Sequence, residues 1–474
     1  MLKIKKNRLI SIILNISISI ILYIYTLTNW NNTDFSTMWS KDISIIVMIL
    51  FVYQLTILKL NKYDYKNFFF WFIPLNYLFL YGRIILNALS LDKNIFWKLF
   101  ESYSSLASYR SALFSIAYIQ ILFTGIIMIE QEKLQVETFK FRKKQINSDK
   151  CQKFIGIFLL IISMPFKIIY DYIVISAQSS NGSYIAVPEI SGVIVALSTL
   201  PVVALIFIVI CEEINKRKTI ILLGAYFLYC GIIMVFAGDR RQLVISLIVC
   251  ILAFMEKYRV SIKGPKLFKY IILSIILLII LAAVREGRSN VIESFDDFKV
   301  ALNNIKESNI LYETLAEFGI TFFSIVGAVE FYPSIYSFAL GKTYIASILV
   351  VIPGFAKVFP SIFEFSSISK NIKNINNQGL GGSIPQDLYA NFSIYGLLIS
   401  FVIGIILALV MRRRKNSTGM DTIKYYILFY FLINLVRAGF FEITRNIFFA
   451  YILIYILKKL YIVMVRRKKV MINS

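Results

Sequence analysis

The sequence has no histidine, only four cysteines, and charged residues at just 16% of its 474 positions. Without histidine there are no imidazole general bases, no His–metal sites and no Ser–His or Cys–His nucleophile pairs. The cysteines, Cys151, Cys211, Cys230 and Cys250, all fall in segments expected inside the membrane or the cell, so neither disulfides nor thiol chemistry are expected. No G-x-S-x-G, H-E-x-x-H, C-x-x-C or Asp-x-Asp pattern occurs, so no metal and no cofactor is expected. Acidic residues are scarce as well, 27 against 51 Lys and Arg, for a net charge of +24.

Apolar residues fill the space these absences leave. They make up 58% of the chain, and the mean hydropathy is +0.72. A soluble domain carries about 25% charged and about 45–50% apolar residues. This composition excludes a soluble fold, a disordered chain and a secreted disulfide scaffold, and implies an integral membrane protein. The positive charge does not form a nucleic-acid surface. It sits in short clusters between apolar runs, as topology signals do.

Runs of spanning length occur at 9–28, 43–58, 68–89, 106–129, 154–176, 190–210, 219–238, 242–256, 268–284, 388–411, 421–440 and 446–464. They predict an all-α polytopic protein with about twelve transmembrane helices. The first run follows Lys3, Lys5, Lys6 and Arg8 and leads into Asn29 and Trp30 with no small-residue cleavage site, so an uncleaved first helix is expected. With the N-terminus inside, the strong basic clusters, including Arg412–Lys415 and Arg466–Lys469, all fall on the cytoplasmic side. Both termini are then cytoplasmic. Three regions result: helices one to nine over 1–284, a large extracytoplasmic loop over 285–387, and helices ten to twelve with a basic tail over 388–474. The loop holds two short apolar stretches, Ile320–Val329 and Ile345–Phe355, read as amphipathic or re-entrant helices at the outer leaflet. If both cross, the count becomes fourteen.

Ionisable residues at membrane depth are functional candidates by default. The expected orientation collects them at the outer face: Arg83, Arg110, the i,i+4 pair Lys167 and Asp171, Arg240 and Arg241 in the turn Gly238-Asp239-Arg240-Arg241, Arg285 and Arg288, then Arg437, Glu442 and Arg445. Some have plain structural readings. Lys167 and Asp171 can neutralise each other, and Arg83 and Arg110 can bind backbone carbonyls. Adjacent Arg240 and Arg241 are harder to explain that way. Guanidinium groups at one depth suit a phosphate or pyrophosphate head group. Gly341-Lys342-Thr343 resembles the end of a P-loop, but Tyr336 stands where the loop needs glycine, so nucleotide binding is rejected. Gly379-Leu380-Gly381-Gly382 reads as a hinge or tight turn.

Residues 379–404 read GLGGSIPQDLYANFSIYGLLISFVIG. A Gly/Ser-rich approach, an acidic residue, then aromatic-x-Asn-Phe entering a late helix resembles the bacterial oligosaccharide repeat unit polymerases, the Wzy-like or O-antigen polymerase family. That family typically shows acidic-x-x-x-Asn-Phe-Gly at this place. Asp387, Asn391 and Phe392 match, and Ser393 replaces the glycine. The Gly238–Arg241 turn and the single large outer loop match as well. The resemblance implies a glycosyltransferase-C-like helical bundle in the bacterial cytoplasmic membrane. It implies transfer of a glycan from undecaprenyl pyrophosphate to a lipid-linked repeat unit, as in capsule, O-antigen or exopolysaccharide synthesis. A flippase and a chain-length regulator are the partners it implies. Under this reading Arg240, Arg241, Arg285, Arg288, Arg437 and Arg445 bind pyrophosphate, and Glu317, Glu330 and Asp387 are the candidate bases. A flippase of lipid-linked oligosaccharide and a polysaccharide ligase are the competing readings.

Overall fold

In a computed structural model of the chain, the described residues are 6–91, 98–129, 146–181, 190–237, 241–260, 310–352, 354–363, 367–376, 379–413 and 418–473. Among them the secondary structure is helical throughout, with no strand. In a bilayer the backbone must satisfy its own hydrogen bonds, and a helix does so within one segment.

Among the described residues, nine helical runs are long and apolar enough to cross a membrane. They account for nine of the twelve expected spans. Residues 242–256 form a helix of 17 residues, Arg241–Lys257, about one turn short of a full span. Residues 421–440 form Gly419–Leu432 and then a 3-10 turn, Ile433–Val436. The expected span 268–284 lies outside the described residues.

The chain divides into two compact units. Unit 1 comprises Met1–Leu134, Leu311–Lys415 and Ile433–Thr444. Its helices are α1 (Lys6–Asn29), α2 (Trp39–Leu60), α3 (Phe68–Ala88) and α4 (Ser105–Met128). The later residues of unit 1 add further helices. Unit 2 comprises Gln135–Ile310, Asn416–Leu432 and Arg445–Ser474. It contains α5 (Ile146–Asn181), α6 (Gly192–Ser198), α7 (Leu200–Ile210), α8 (Lys216–Ala237) and α9 (Arg241–Lys257). Then follow α10 (Ile310–Phe318), α11 (Phe322–Phe331), α12 (Lys342–Leu349), α13 (Ile368–Asn376), α14 (Ile384–Phe392), α15 (Gly396–Val410), α16 (Gly419–Leu432) and α17 (Phe440–Asn473).

Unit 1 is organised around α4, which packs against α1, α2, α11 and α15. Its closest neighbour is α15, where Gly125 meets Gly404. A Cβ at Gly125 would overlap the Phe401 carbonyl, and one at Gly404 would overlap the Leu122 carbonyl. Helices in lipid gain no hydrophobic drive from meeting each other, so they rely on such close small-residue contacts and on buried polar bonds. The polar bonds lie on other faces of α4. Gln120 joins Gln54 at 2.9 Å and the Asn15 amide at 3.2 Å, and Thr124 meets Ser19 at 2.7 Å. A second close crossing sets Gly82 against Gly319, and there the buried Arg83 donates from Nε to the Ala316 carbonyl at 2.8 Å.

In unit 2, α5 packs on α7, and α9 and α16 also pack on α7. The buried Lys167 Nζ and Asp171 Oδ1 lie 2.5 Å apart, and the Tyr229 hydroxyl donates to Asp171 Oδ2 at 2.7 Å. The pair is therefore internally neutralised. Lys257 donates to the carbonyls of Cys211 and Ile214 just past the end of α7, where a cation complements the helix dipole.

Candidate functional site

The 379–404 stretch folds as its local chemistry dictates. Gly381 takes a positive φ of 79°, which glycine adopts without penalty, and Gly382 donates its N–H to the Arg437 carbonyl at 3.2 Å. Ser383 then caps α14 in a capping box with Gln386, and a proline lies in the first turn. This arrangement satisfies the orphan donors of the helix start. The Ser383 hydroxyl also meets that of Ser324 on α11 at 3.0 Å, which fixes α14 to the core of unit 1. The helix thus begins at Ile384, four residues before the expected span, and Asp387 lies within its first turns.

Asp387 and Asn391 are four residues apart and so share a face of α14. Asp387 is buried, and its Oδ2 accepts the N–H of Phe440 at 2.9 Å. Phe440 opens α17. A carboxylate at a helix N-terminus is held by both the N–H and the dipole. Gly439 makes the approach possible, since a Cβ there would come within 2.9 Å of Asp387 Oδ2 and 3.2 Å of Oδ1. Arg437 lies in the same turn. Its side chain runs along Gly381, and its guanidinium is 6.0 Å from the Phe79 ring centroid, within range of a cation–π contact.

Asn391 is fully buried and acts as a clamp. Its Nδ2 donates to Thr343 Oγ1 and to the Asp387 carbonyl, each at 2.7 Å, and its Oδ1 accepts the Gly341 N–H at 2.9 Å. Backbone bonds from Ala339 to Ala390 and from Leu340 to Asn391 extend the seam. The Gly341-Lys342-Thr343 sequence, rejected as a P-loop, is therefore the turn that seats α12 against α14. Tyr344 follows it. Its ring packs on Phe440 and Phe392, with centroids 5.4 and 6.1 Å away. Burial, followed by the Asp387 charge, pushes the Tyr344 phenol far above its ordinary range, so it stays a proton donor.

Other described candidates make contacts of their own. Glu330 accepts from the hydroxyl of Ser104 at 2.6 Å and from its N–H at 3.3 Å, and Ser104 is the N-cap of α4. Glu317 is the penultimate residue of α10, next to Ala316, whose carbonyl binds Arg83. Arg110 donates to the Trp30 carbonyl at 2.7 Å and lies 5.6 Å from its ring. Arg83 and Arg110 thus both bind carbonyls. Arg445 belongs to unit 2, where its guanidinium lies against Gly192. Arg240, Arg285 and Arg288 lie outside the described residues, and Arg241 is described only as the first residue of α9. Within unit 1, then, the structure brings Asp387 and Arg437 to one turn. Sequence reasoning missed Tyr344 and the 339–343 turn. The capping box Ser383-Ile384-Pro385-Gln386 was the signal for the true helix start.

Comparison with known proteins adds one finding. No curated protein and no solved structure matches the chain, but the family described as O-antigen polysaccharide polymerase Wzy matches residues 8–469. That match covers nearly the whole sequence, including both units and the Asp387–Asn391 helix, and the chain belongs to the O-antigen polysaccharide polymerase Wzy family.

Proposed function

We propose that this multi-pass membrane protein polymerises oligosaccharide repeat units carried on undecaprenyl pyrophosphate, at the outer face of the bacterial cytoplasmic membrane. Family membership supports repeat-unit polymerisation in general. The observation that carries the finer reading is the buried Asp387 carboxylate, held by the Phe440 N–H in the turn that also contains Arg437.

In the proposed reaction an acceptor hydroxyl attacks the anomeric carbon of the donor glycan. The new glycosidic C–O bond forms as the anomeric C–O bond to pyrophosphate breaks, and lipid pyrophosphate leaves with the electron pair. Asp387 takes the hydroxyl proton. Pyrophosphate is already a competent leaving group, so what helps is cationic charge placed where negative charge grows. Arg437 supplies it, with Arg240, Arg241, Arg285, Arg288 and Arg445 as further phosphate-binding candidates. Among the three carboxylates we favour Asp387. Glu330 is engaged in capping α4, and Glu317 is half-buried beside the Arg83 contact. We further propose twelve spans, both termini cytoplasmic, and residues 285–387 as the outer loop. Burial of Phe322, Phe323, Ile325 and Val326 within unit 1 favours a re-entrant over a surface-lying helix there. Capsule or exopolysaccharide as the product, and a flippase and chain-length regulator as partners, rest on family analogy.

The test is the glycan size profile of cells carrying Asp387→Asn, Arg437→Ala or Arg241→Ala. Single displayed or lipid-held repeat units without a polymer ladder are expected, with protein still in the membrane. Arg437→Lys should restore activity only in part, because lysine lacks the forked contact. A wild-type ladder from Asp387→Asn overturns its assignment as base. Full-length polymer held on lipid would instead indicate a ligase, and repeat units trapped on the inner leaflet a flippase.

A further inference from the structure

Helix α4 carries hydroxyls at Ser104, Ser108, Ser111, Ser115 and Tyr118. The spacings of four, three, four and three place all five on one face. Ser104 is the exposed N-cap, and the other four are buried, with at most 1% of their surface exposed. A serine inside a helix can return its proton to a carbonyl in the preceding turn, and Ser115 does so, to Ala112. Ser108, Ser111 and Tyr118 do not. Their hydroxyls are buried with no hydrogen-bond partner among the described residues. One such group at membrane depth is costly, and three on one face, with only Ser115 among them satisfied, are a pattern that calls for missing partners.

The stripe passes the candidate site. Phe114, between Ser111 and Ser115 on α4, packs its ring against Tyr389, two residues from Asp387 on α14, with centroids 5.5 Å apart. Tyr81 is satisfied by the Ser115 carbonyl at 2.8 Å, whereas the buried Tyr344 hydroxyl has no hydrogen-bond partner among the described residues. Tyr344 packs on Phe440, whose N–H holds Asp387. The stripe thus runs from an exposed helix cap to the neighbourhood of the buried carboxylate, over about 21 Å at 1.5 Å per residue.

We propose that a file of internal waters fills this stripe and connects Asp387 to the aqueous surface at Ser104, so that Tyr344, Tyr118, Ser111 and Ser108 line a proton path. Buried waters typically bond two to four polar groups, and hydroxyls that both donate and accept are suited to hold them. The step balances. The proton that Asp387 accepts from the acceptor hydroxyl passes to the nearest water, an equivalent proton leaves at Ser104, and the carboxylate is regenerated without a net charge left in the membrane. The proton-exit role rests on the reading of Asp387 as base, but the water file itself does not. Tyr118 and Tyr344 are positioning residues in this scheme.

The test uses the full-length protein in detergent or nanodiscs. Radiolytic hydroxyl labelling marks side chains that touch bound water. Strong labelling of the buried Tyr118 is expected. Removing a dry, unpartnered hydroxyl relieves a penalty, whereas removing one that holds water creates a defect. Tyr118→Phe and Ser111→Ala should therefore lower the melting temperature. Turnover should fall roughly fivefold to tenfold, the size of one neutral hydrogen bond, at unchanged KM. An unlabelled Tyr118 together with variants as stable as wild type, or more stable, overturns the water file. Labelling and destabilisation with an unimpaired Asp387→Asn enzyme would keep the water file and overturn the proton-exit role, the base assignment falling separately.

Discussion

Replacing Gly439 with alanine adds one methyl group and removes no polar atom. Gly439 is not among the residues with positive φ, so the backbone carries no strain against alanine. The new Cβ would stand 2.9 Å from Asp387 Oδ2 and 3.2 Å from Oδ1. The carboxylate must move by a few tenths of an ångström, and the direction open to it is away from the Phe440 N–H that it accepts at 2.9 Å. A hydrogen bond to a charged group contributes about 1.5–3 kcal/mol, and stretching it forfeits part of that, so we expect destabilisation of about 1 kcal/mol. The effect on rate should be larger. A misplacement of about 1 Å at a reacting group can cost about 100-fold, so a shift of a third to a half of that predicts a loss of about tenfold. The assay is single-round extension of purified lipid-linked repeat units by detergent-solubilised protein, paired with the polymer ladder in cells and a thermal melt. A shortened ladder, slower extension and a nearly unchanged melt are expected. Wild-type extension would refute the reasoning, because it would mean that the position of this carboxylate does not matter to the reaction.

Three further outcomes follow from other contacts. Asn391→Ala removes three buried hydrogen bonds and leaves Thr343 and the Gly341 N–H unpartnered, for an expected loss of about 3–5 kcal/mol; a melting temperature equal to wild type would contradict the clamp. Lys167→Gln strands a buried Asp171 and should cost about 3–5 kcal/mol, while Lys167→Gln with Asp171→Asn should recover most of it; equal stability of the single and double variants would show that the pair is not neutralising itself. A cysteine replacing the exposed Asn374 on α13 should react with an impermeant thiol reagent on whole cells, and labelling only after permeabilisation would reverse the proposed orientation.

The spans were legible because lipid permits few solutions. A backbone crossing hydrocarbon must be helical, so apolar length alone finds the helices. Hydropathy fails where a helix is broken for a local reason that it cannot register. Residues 421–440 read as one run, yet α16 stops at Leu432 and a 3-10 turn leads to Arg437 and Gly439. That break is what aims the Phe440 N–H at Asp387. The start of α14 was missed for a related reason. The apolar run begins at residue 388, but the helix is opened by polar chemistry, the Ser383–Gln386 box, four residues earlier.

The candidate site divides along the same line between local and tertiary information. Asp387 and Asn391 could be found because a spacing of four on a helix is a local fact. The contact of the Gly341-Lys342-Thr343 turn with Asn391 spans 48 to 50 residues of sequence, and no local pattern encodes it. Tyr344 was hidden for that reason, since its environment comes from α14 and α17 together. The hydroxyl stripe of α4 is the instructive intermediate. Its period was present in the sequence, but serine in a membrane helix ordinarily satisfies itself, as Ser115 does. Only the structure separates a stripe that is satisfied internally from one that leaves Ser108, Ser111 and Tyr118 without partners.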